Sequence, residues 1–228
     1  MKLLELYTSV QGEGPHTSEP TQFVRFAGCN LRCPGWPCDT QHAIHPKLYK
    51  DVAENLTGAQ IVRERLADWP KHICLTGGEP LIQKEIELEE FVQEARAAGY
   101  TIECFTNGTQ LIPNWTLGRV RFMMDWKLSN SGEVMDRYRD ARMANAVRLN
   151  KHDGIKFVVA TPGCLAEAAT GYAGLIQQGV EAQIWIGAVW NRGLSDAAIV
   201  DYIMTHKLPW NLNIQTHKYI WHPDKQGV

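Results

Sequence analysis

The sequence has no long apolar run, no repeat, no low-complexity tract and no strong excess of charge. None of its apolar stretches approaches the roughly 20 residues that a membrane-spanning helix needs. The 25 acidic and 23 basic residues leave a formal net charge of −2, which gives no reason to expect nucleic acid or a membrane surface as a partner. The first segment, MKLLELYTSVQGEG, is interrupted by Glu5 and lacks a small-residue cleavage site, so no signal peptide is expected. These absences predict a cytoplasmic protein.

Cysteine is sparse outside one segment, GCNLRCPGWPCDT. Three of the six cysteines, Cys29, Cys33 and Cys38, fall within ten positions of this segment, and the next cysteine is Cys74. Thiols stay reduced in the cytosol, so such a cluster points to a metal or to catalysis before a disulfide. The scattered cysteines are typical of small core residues.

The three clustered cysteines leave two metal sites open. A structural zinc site needs four ligands, and His42 or His45 could supply the fourth. Alternatively, three thiolates could hold three irons of a 4Fe–4S cluster and leave the fourth iron open to a small molecule. The spacing C-x3-C-x4-C favours neither.

Strand-like and helix-like patterns alternate along the chain, whose 228 residues would form one large domain or two small ones. Strands are predicted at 19–28, 72–80, 101–109, 121–127, 154–162, 182–190 and 212–221. Helices are predicted at 57–69, 82–98, 133–149, 164–178 and 195–206, the last with Ser195 as N-cap. This alternation favours parallel βαβ units. About six strands follow the cysteine segment, fewer than a full barrel has, so we expect an open, partial parallel β/α barrel.

Polar and glycine-rich motifs follow the predicted strands: TGGEP, TNGT, DWKLS and QTHK. In parallel α/β proteins this edge of the sheet is where ligands bind. The segment Gly77-Gly78-Glu79-Pro80, read alone, could be an ordinary turn before a helix. Together with a three-cysteine loop it resembles the radical S-adenosylmethionine superfamily. The usual loop there is C-x3-C-x2-C; the extra residues here fall in Pro34-Gly35-Trp36-Pro37, which suits a bulge.

The resemblance becomes more specific at both ends of the chain. The segments YTSVQGEG, FVRFAGCNL, CDT, TGGEP, TNGT, DWK, KFVV and QTHK resemble the 7-carboxy-7-deazaguanine synthase family. This resemblance implies conversion of 6-carboxy-5,6,7,8-tetrahydropterin to 7-carboxy-7-deazaguanine with loss of ammonia. It implies a 4Fe–4S cluster, S-adenosylmethionine, Mg²⁺, a homodimer, and an electron donor such as flavodoxin or ferredoxin. It implies one domain over 1–228, with the substrate segment and cysteine loop at 1–45 and the partial barrel at 46–228.

The resemblance also implies the site residues. The cluster ligands would be Cys29, Cys33 and Cys38, and Thr40 would bind Mg²⁺. The S-adenosylmethionine site would comprise Gly77, Gly78, Glu79, Thr106, Asn107, Asp125, Trp126, Lys127 and Ser129. The pterin site would comprise Val10, Gln11, Gly12, Glu13, Arg25, Thr76 and His217. No further catalytic residue is expected, because the radical generated from the cofactor would take the C6 hydrogen of the pterin.

Simpler interpretations exist for several of these residues. VQGEG could be a turn, Arg25 a charge on a strand surface, Asp39-Thr40 a helix cap, and His217 a structural histidine. Two other functions also remain open. A glycyl-radical activating enzyme would share GGEP but act on a protein backbone, and a zinc-binding module would have no catalytic role.

Overall fold

The structure, a computed structural model, describes residues 1–36 and 38–228; Pro37, which sequence analysis placed in the enlarged cysteine loop, lies outside the described residues. Nine strands in these ranges form one sheet in the order β3-β1-β2-β4-β5-β6-β7-β8-β9. They are β1 (Lys2–Val10), β2 (Pro20–Phe26), β3 (Glu54–Asn55), β4 (His72–Gly77), β5 (Thr101–Thr106), β6 (Arg121–Asp125), β7 (Gly154–Val159), β8 (Gln183–Ala188) and β9 (Trp210–Leu212).

The sheet is mostly parallel and open. Strand β2 pairs in parallel with β4, and each later strand pairs in parallel with the next. Strand β1 is antiparallel to both β2 and β3. Because β3 and β9 lie at opposite ends of the strand order, the sheet does not close. The predicted open β/α arrangement is therefore confirmed, with β4–β9 as the six strands expected after the cysteine segment.

Helices connect the parallel strands. They are α1 (Gln41–Ile44), α2 (Pro46–Tyr49), α3 (Gly58–Gln60), α4 (Glu85–Ala97), α5 (Arg139–Ala146), α6 (Pro162–Gln177), α7 (Asp196–His206) and α8 (His217–Ile220). A π-helical turn at Ile61–Arg65 extends α3, and 3-10 turns occur at Gly14–His16, Pro80–Ile82, Asn114–Thr116, Ser129–Ser131 and Met135–Tyr138. No helix in the described ranges is both long enough and apolar enough to cross a membrane.

One face of the sheet packs against the helices and forms the core. Strand β7 shows the pattern: Ile155 and Phe157 are fully buried in the core cluster, whereas Lys156 between them lies on the other face. Alternate side chains of a strand point to opposite faces, so GIKFVV sends Ile155, Phe157 and Val159 to the helix side of the sheet. Each large apolar side chain buried there contributes about 1.5–3 kcal/mol. The opposite face, here called the inner face, carries Arg25, Thr76, Phe105, Asp125 and Lys156.

Several helix boundaries confirm the predictions. The side chain of Ser195 caps α7 by accepting a hydrogen bond from the Ala198 amide, and Thr57 and Gln60 form a reciprocal capping box before α3. Helix α4 begins three residues later than predicted, after the 3-10 turn at Pro80–Ile82.

Two predictions about local structure were wrong, and one strand was missed. The predicted strand 212–221 ends at Leu212, because the Thr216 amide donates to the Gly12 carbonyl and helix α8 begins at the next residue. The predicted helix 133–149 is α only over Arg139–Ala146, because the Glu133 side chain is bound to the cysteine loop. Strand β1 was not predicted, although apolar and polar residues alternate at the centre of LLELYTSV.

Candidate active site at the cysteine loop and inner face

The cysteine loop packs directly on the GGEP segment. The Gly78 amide donates to the Phe26 carbonyl over 2.9 Å, and the Glu79 amide donates to the Gly28 carbonyl over 2.8 Å. A Cβ on Gly78 would lie 1.8 Å from the Gly28 carbonyl oxygen, so only glycine allows this approach. The two motifs that sequence analysis paired are therefore in contact at the carboxyl ends of β2 and β4.

The three thiols lie in one loop, with other polar groups around them. Cys29 Sγ accepts hydrogen bonds from the Leu31 amide (3.4 Å) and the Asn107 side chain (3.8 Å). Burial raises the pKa of Cys33 to about 12 and also raises the pKa of Cys29; the Cys38 thiolate adds to both increases. Thiols in this state ionise only when a cation compensates, which is what metal ligation provides.

The spacing of these thiols argues against a single zinc ion. A tetrahedral zinc site with Zn–S bonds of about 2.3 Å brings its sulfurs within about 4 Å of one another. Among the described residues, no three side chains drawn from the clustered cysteines, His42 and His45 bring their ligand atoms within 4.8 Å of one another. His42 Nε2 instead lies 3.4 Å from Glu5 Oε2. Iron–sulfur clusters bind each thiolate to a different iron, so wider spacing fits them.

Gly35 and Trp36 of the cysteine loop pack on the segment that follows β6. The Gly35 amide donates to the Ser131 carbonyl over 2.9 Å. A Cβ on Gly35 would lie 1.9 Å from the Asn130 carbonyl oxygen. The Lys127 ammonium lies 5.5 Å from the centre of the Trp36 ring, a cation–π contact. The longer loop therefore packs onto neighbouring structure through its middle.

Cys33 has an unusual backbone conformation that Glu133 supports. Its φ is 46°, in the left-handed region that residues other than glycine rarely adopt. The Glu133 carboxylate accepts hydrogen bonds from the amides of Arg32 and Cys33, the latter over 2.7 Å. This carboxylate holds the turn that aims the second cysteine, a role that sequence analysis missed.

Glu79 is completely buried and joins the ends of β4 and β5. Its carboxylate accepts hydrogen bonds from the Leu81 amide (3.0 Å), the Thr106 hydroxyl (2.7 Å) and the Asn107 amide (2.7 Å). Burial raises its pKa. Contact between Glu79 and a cofactor ammonium stays a prediction; the structure adds that Glu79 fixes the TNGT turn against GGEP.

The two most distant motifs, QGEG and QTHK, meet on the inner face. The Gln215 side chain donates to Glu13 Oε1 over 2.7 Å, and the Thr216 amide donates to the Gly12 carbonyl over 3.0 Å. A Cβ on Gly12 would lie 2.1 Å from His217 Nδ1, so the histidine ring packs on the bare backbone. The VQGEG segment thus leads from β1 into the connection to β2, as the simpler interpretation has it, and it also contacts QTHK.

A line of alternating charges crosses the inner face from Glu13. Lys156 Nζ lies 2.7 Å from Glu13 Oε2 and 4.0 Å from Asp125 Oδ2, and Lys127 Nζ lies 2.7 Å from the same Asp125 atom. Burial opposes ionisation of Glu13, but Lys156 and Gln215 outweigh it and lower its pKa to about 2. Burial likewise opposes the charge on Lys156, but Glu13 and Asp125 raise its pKa. Both groups are therefore charged at neutral pH.

Arg25 lies beside Thr76 in the register of β2 and β4. Its side chain is 12% exposed, its Nε donates to Glu5 over 2.6 Å, and its Nη2 donates to the Tyr7 hydroxyl over 2.7 Å. The interpretation as a surface charge is therefore wrong. Among the described residues, three of the five guanidinium N–H groups have no partner and could bind a ligand.

The side chain of Gln11 makes its hydrogen bonds within the protein. It donates to Glu103, and its carbonyl oxygen accepts from the amides of Gly12 (2.9 Å) and Glu13 (3.2 Å). Val10 ends β1 directly before it. The Gln11 side chain thus shapes the backbone of the segment that carries Glu13.

The remaining predicted residues surround the cysteine loop. The Thr40 hydroxyl donates to the Gly77 carbonyl over 3.1 Å and lies 3.4 Å from Cys38 Sγ. Trp126 stacks on the Arg142 guanidinium, 4.1 Å from ring centre to carbon, and its amide donates to the Lys156 carbonyl. Both polar groups of Ser129 bind the Glu167 carboxylate.

Comparisons with known proteins now identify the family. A protein of Methanospirillum hungatei named 7-carboxy-7-deazaguanine synthase is 34% identical over 98% of this chain and 86% of its own length. A protein of the same name from Clostridium acetobutylicum is 35% identical over 100% of this chain and 99% of its own length. The chain belongs to the 7-carboxy-7-deazaguanine synthase family.

Two further similarities agree with this 7-carboxy-7-deazaguanine synthase family assignment. The family described as 4Fe-4S single cluster domain matches residues 10–114, which include all three clustered cysteines. The crystal structure of QueE from Escherichia coli superposes with a TM-score of 0.67 at 21% identity, over 93% of this chain and 92% of that chain. The second comparison bears on the fold alone.

Sequence analysis gave no role to two residues that complete this family member's inner face. Lys156 interrupts an otherwise apolar strand, and lysine is rarely buried without a partner, so its position was a usable signal. Gln215 was quoted only as part of QTHK. Both residues hold Glu13, from 143 and 202 positions away in the chain.

Proposed function

We propose that this chain converts 6-carboxy-5,6,7,8-tetrahydropterin to 7-carboxy-7-deazaguanine with release of ammonia, as a radical S-adenosylmethionine enzyme of 7-deazapurine biosynthesis. The observation that carries the proposal is the meeting of Glu13, Lys156 and Gln215 on an inner face that the cysteine loop borders. A carboxylate held there by a lysine and an amide is suited to recognise an aminopyrimidine edge. A glycyl-radical activating enzyme would not need such a set.

Cys29, Cys33 and Cys38 would hold the 4Fe–4S cluster. Their wide spacing fits three separate iron ligands better than one zinc ion. The fourth iron would be open to the amino and carboxylate groups of S-adenosylmethionine. When bound, the reduced cluster and S-adenosylmethionine would supply the one-electron chemistry that removes a substrate hydrogen.

The residues that would bind S-adenosylmethionine are Gly77, Gly78, Glu79, Thr106, Asn107, Asp125, Trp126, Lys127 and Ser129. Asp125 supports this assignment, because its buried Oδ1 has no hydrogen-bond partner within residues 1–36 and 38–228. An unsatisfied carboxylate oxygen is suited to accept from ribose hydroxyls. Ser129 is less suited, since Glu167 already occupies its hydroxyl.

The pterin would lie between Glu13 and Arg25. Each oxygen of Glu13 uses one lone pair, on Lys156 or on Gln215, and keeps another for a pterin N–H group. The free N–H groups of Arg25 would bind the pterin carboxylate as a fork. The backbone of Val10, Gln11 and Gly12 would contact the pterin edge, with Thr76 and His217 closing the site. Burial lowers the pKa of His217, so its ring would be neutral at pH 7.

Mg²⁺ would bind at Thr40 with the substrate carboxylate and water as further ligands. The Thr40 hydroxyl lies between the Gly77 carbonyl and Cys38, so an ion there would adjoin the cluster. Mg²⁺ keeps several waters in such sites, which suits a single protein ligand.

The side chains of the protein would act by positioning the substrate. Glu13 and Arg25 would bind opposite ends of the pterin, and Lys156 would keep Glu13 ionised. Holding both reactants in one geometry replaces a costly encounter in solution. We further propose one domain over 1–228, a homodimer, and a flavodoxin or ferredoxin as electron donor. Light scattering and donor-dependent turnover test the last two.

The test of the function is anaerobic turnover. The protein would be reconstituted with iron and sulfide, then mixed with dithionite, S-adenosylmethionine, Mg²⁺ and 6-carboxy-tetrahydropterin. We expect 7-carboxy-7-deazaguanine by mass spectrometry from the wild type and none from Cys29→Ala. If 5′-deoxyadenosine forms without that product, the chemistry stands and the proposed substrate is wrong. If no cluster assembles, the radical mechanism is wrong.

A further inference from the structure

A second group of metal-ligating side chains lies at the opposite edge of the sheet from the cysteine loop. His72 begins β4, Glu103 lies near the start of β5, and His16 ends the turn after β1. One ligand atom from each lies within 4.8 Å of the other two. His72 and Glu103 are 7% and 2% exposed. The proposed reaction uses none of the three.

One ring nitrogen of His72 lies opposite the Glu103 carboxylate without a regular hydrogen bond. The Thr101 hydroxyl oxygen lies 2.9 Å from His72 Nδ1 and 3.3 Å from the Lys71 carbonyl oxygen. In the tautomer that carries its proton on Nδ1, an imidazole has a lone pair on Nε2. That atom has no hydrogen-bond partner among the described residues, and it lies 3.3 Å from Glu103 Oε1. In that tautomer, a cation between this nitrogen and the carboxylate would compensate both buried groups.

His16 presents a second lone pair. Arg121 can only donate, and its Nη1 lies 3.2 Å from His16 Nε2, so Nε2 is the unprotonated nitrogen. His16 Nδ1 then donates to the Glu19 carboxylate, 3.1 Å away. A carboxylate behind the distal nitrogen is the usual orienting contact of a metal-binding histidine. Arg121 is exposed at the edge, so its side chain can move into solvent when a cation takes its place.

The distance between His72 and Glu103 is compatible with a bound zinc ion. Zinc bound to nitrogen and oxygen at about 2.0–2.1 Å separates neighbouring ligand atoms by about 3.4 Å in a tetrahedron. The 3.3 Å between His72 Nε2 and Glu103 Oε1 corresponds to one such edge. A set of two imidazoles and one carboxylate binds zinc in preference to Mg²⁺ or Ca²⁺. We propose that His16, His72 and Glu103 bind a zinc-class divalent ion, with water as fourth ligand.

A metal ion at this site would stabilise the backbone of the substrate segment. Glu103 accepts a hydrogen bond from Gln11, and Gln11 in turn holds the amides of Gly12 and Glu13. An ion that fixes Glu103 would therefore fix the backbone that carries Glu13. The site itself does not depend on the proposed reaction, because metal binding is measured without substrate.

The test uses the full chain with its cluster in place. The reconstituted protein would be stripped with a chelator that leaves the cluster, titrated with Zn²⁺, and analysed by calorimetry and elemental analysis, where zinc is counted apart from iron. We expect about one zinc ion per chain and a raised melting temperature. In His72→Gln and Glu103→Gln the zinc affinity should fall more than about 100-fold. His222→Gln, at an exposed histidine, is the matched control.

Two results would overturn the proposal. One is a wild-type chain with an intact cluster that binds no zinc. The other is equal zinc binding by wild type, His72→Gln and Glu103→Gln. If His72→Gln does not fold, Glu103→Gln decides, since its amide keeps the acceptor for Gln11 and removes only the charge.

Discussion

Gln215 donates a 2.7 Å hydrogen bond to Glu13, a residue 202 positions earlier in the chain. The same carboxylate binds Lys156, so two segments that are remote from Glu13 in sequence fix its side chain on the inner face. A buried carboxylate needs this kind of compensation, because burial alone disfavours its charged form. The pterin site proposed here therefore depends on the strand order of the sheet.

Replacing Lys156 with methionine should destabilise the protein. Glu13 would remain buried with only Gln215 as partner, and loss of one member of a buried ion pair costs about 3 kcal/mol or more. Urea denaturation measures the free energy of unfolding. The control is Lys84→Met, whose side chain is 79% exposed, with an expected change within about 0.5 kcal/mol. Equal losses in the two variants would contradict a buried ion pair.

Glu13 should make the folded state sensitive to acid. Its pKa is about 2 when folded against an ordinary 4.5, so it stabilises the fold above pH 4.5 and loses that contribution as the pH falls towards 2. Between pH 7 and pH 3 the wild type should therefore lose more unfolding free energy than Glu13→Gln. Glu181→Gln, at an exposed site, should behave as wild type. Parallel curves for wild type and Glu13→Gln would show that the carboxylate is not stabilised.

Glu133 should control how firmly the cysteine loop holds its cluster. Glu133→Ala leaves the amides of Arg32 and Cys33 without their acceptor, so we expect iron to be lost to a chelator about 10-fold faster. Glu133→Gln keeps the acceptor oxygen and should lose iron more slowly than the alanine variant. Asp136→Ala is the exposed control. Identical iron release from all four proteins would refute this role.

Binding of the pterin carboxylate by Arg25 should require its guanidinium group. Arg25→Lys keeps a positive charge but removes the fork, and a hydrogen bond to a charged group contributes about 1.5–3 kcal/mol, or about 10–100-fold in kcat/KM. The loss should appear mainly as a higher KM for the pterin. Arg63→Lys, 66% exposed, is the control. An unchanged KM in Arg25→Lys would exclude a carboxylate-binding role.

The sequence was sufficient for the parts of the fold that depend on local pattern. Alternating apolar runs and helical periodicity predicted β4–β8 and α6–α7, because neighbouring residues decide these elements. The contact between the cysteine loop and GGEP was also predictable, since both follow strands at the same edge of the sheet. The pairing of β1 was missed because its strand signal is weak and its partners, β2 and β3, come later in the chain.

The inner-face network could not be predicted from spacing. Which residues oppose Glu13 depends on strand register, and Lys156 reaches it only because β7 pairs Lys156 with Asp125. The short helix α8 was predicted as strand because ordinary apolar alternation in LNIQTHKYIW does not encode the hydrogen bond from Thr216 to Gly12. Tertiary contacts decided both outcomes.

The most direct test of the account follows the hydrogen at C6 of the pterin. The reconstituted protein would be supplied with 6-carboxy-tetrahydropterin deuterated at C6, under the anaerobic conditions described above. If Glu13 and Arg25 hold the pterin with that hydrogen towards the cofactor, deuterium should appear in 5′-deoxyadenosine or in the recovered S-adenosylmethionine, together with 7-carboxy-7-deazaguanine. Product formed with no deuterium in either molecule would contradict the proposed placement of the substrate.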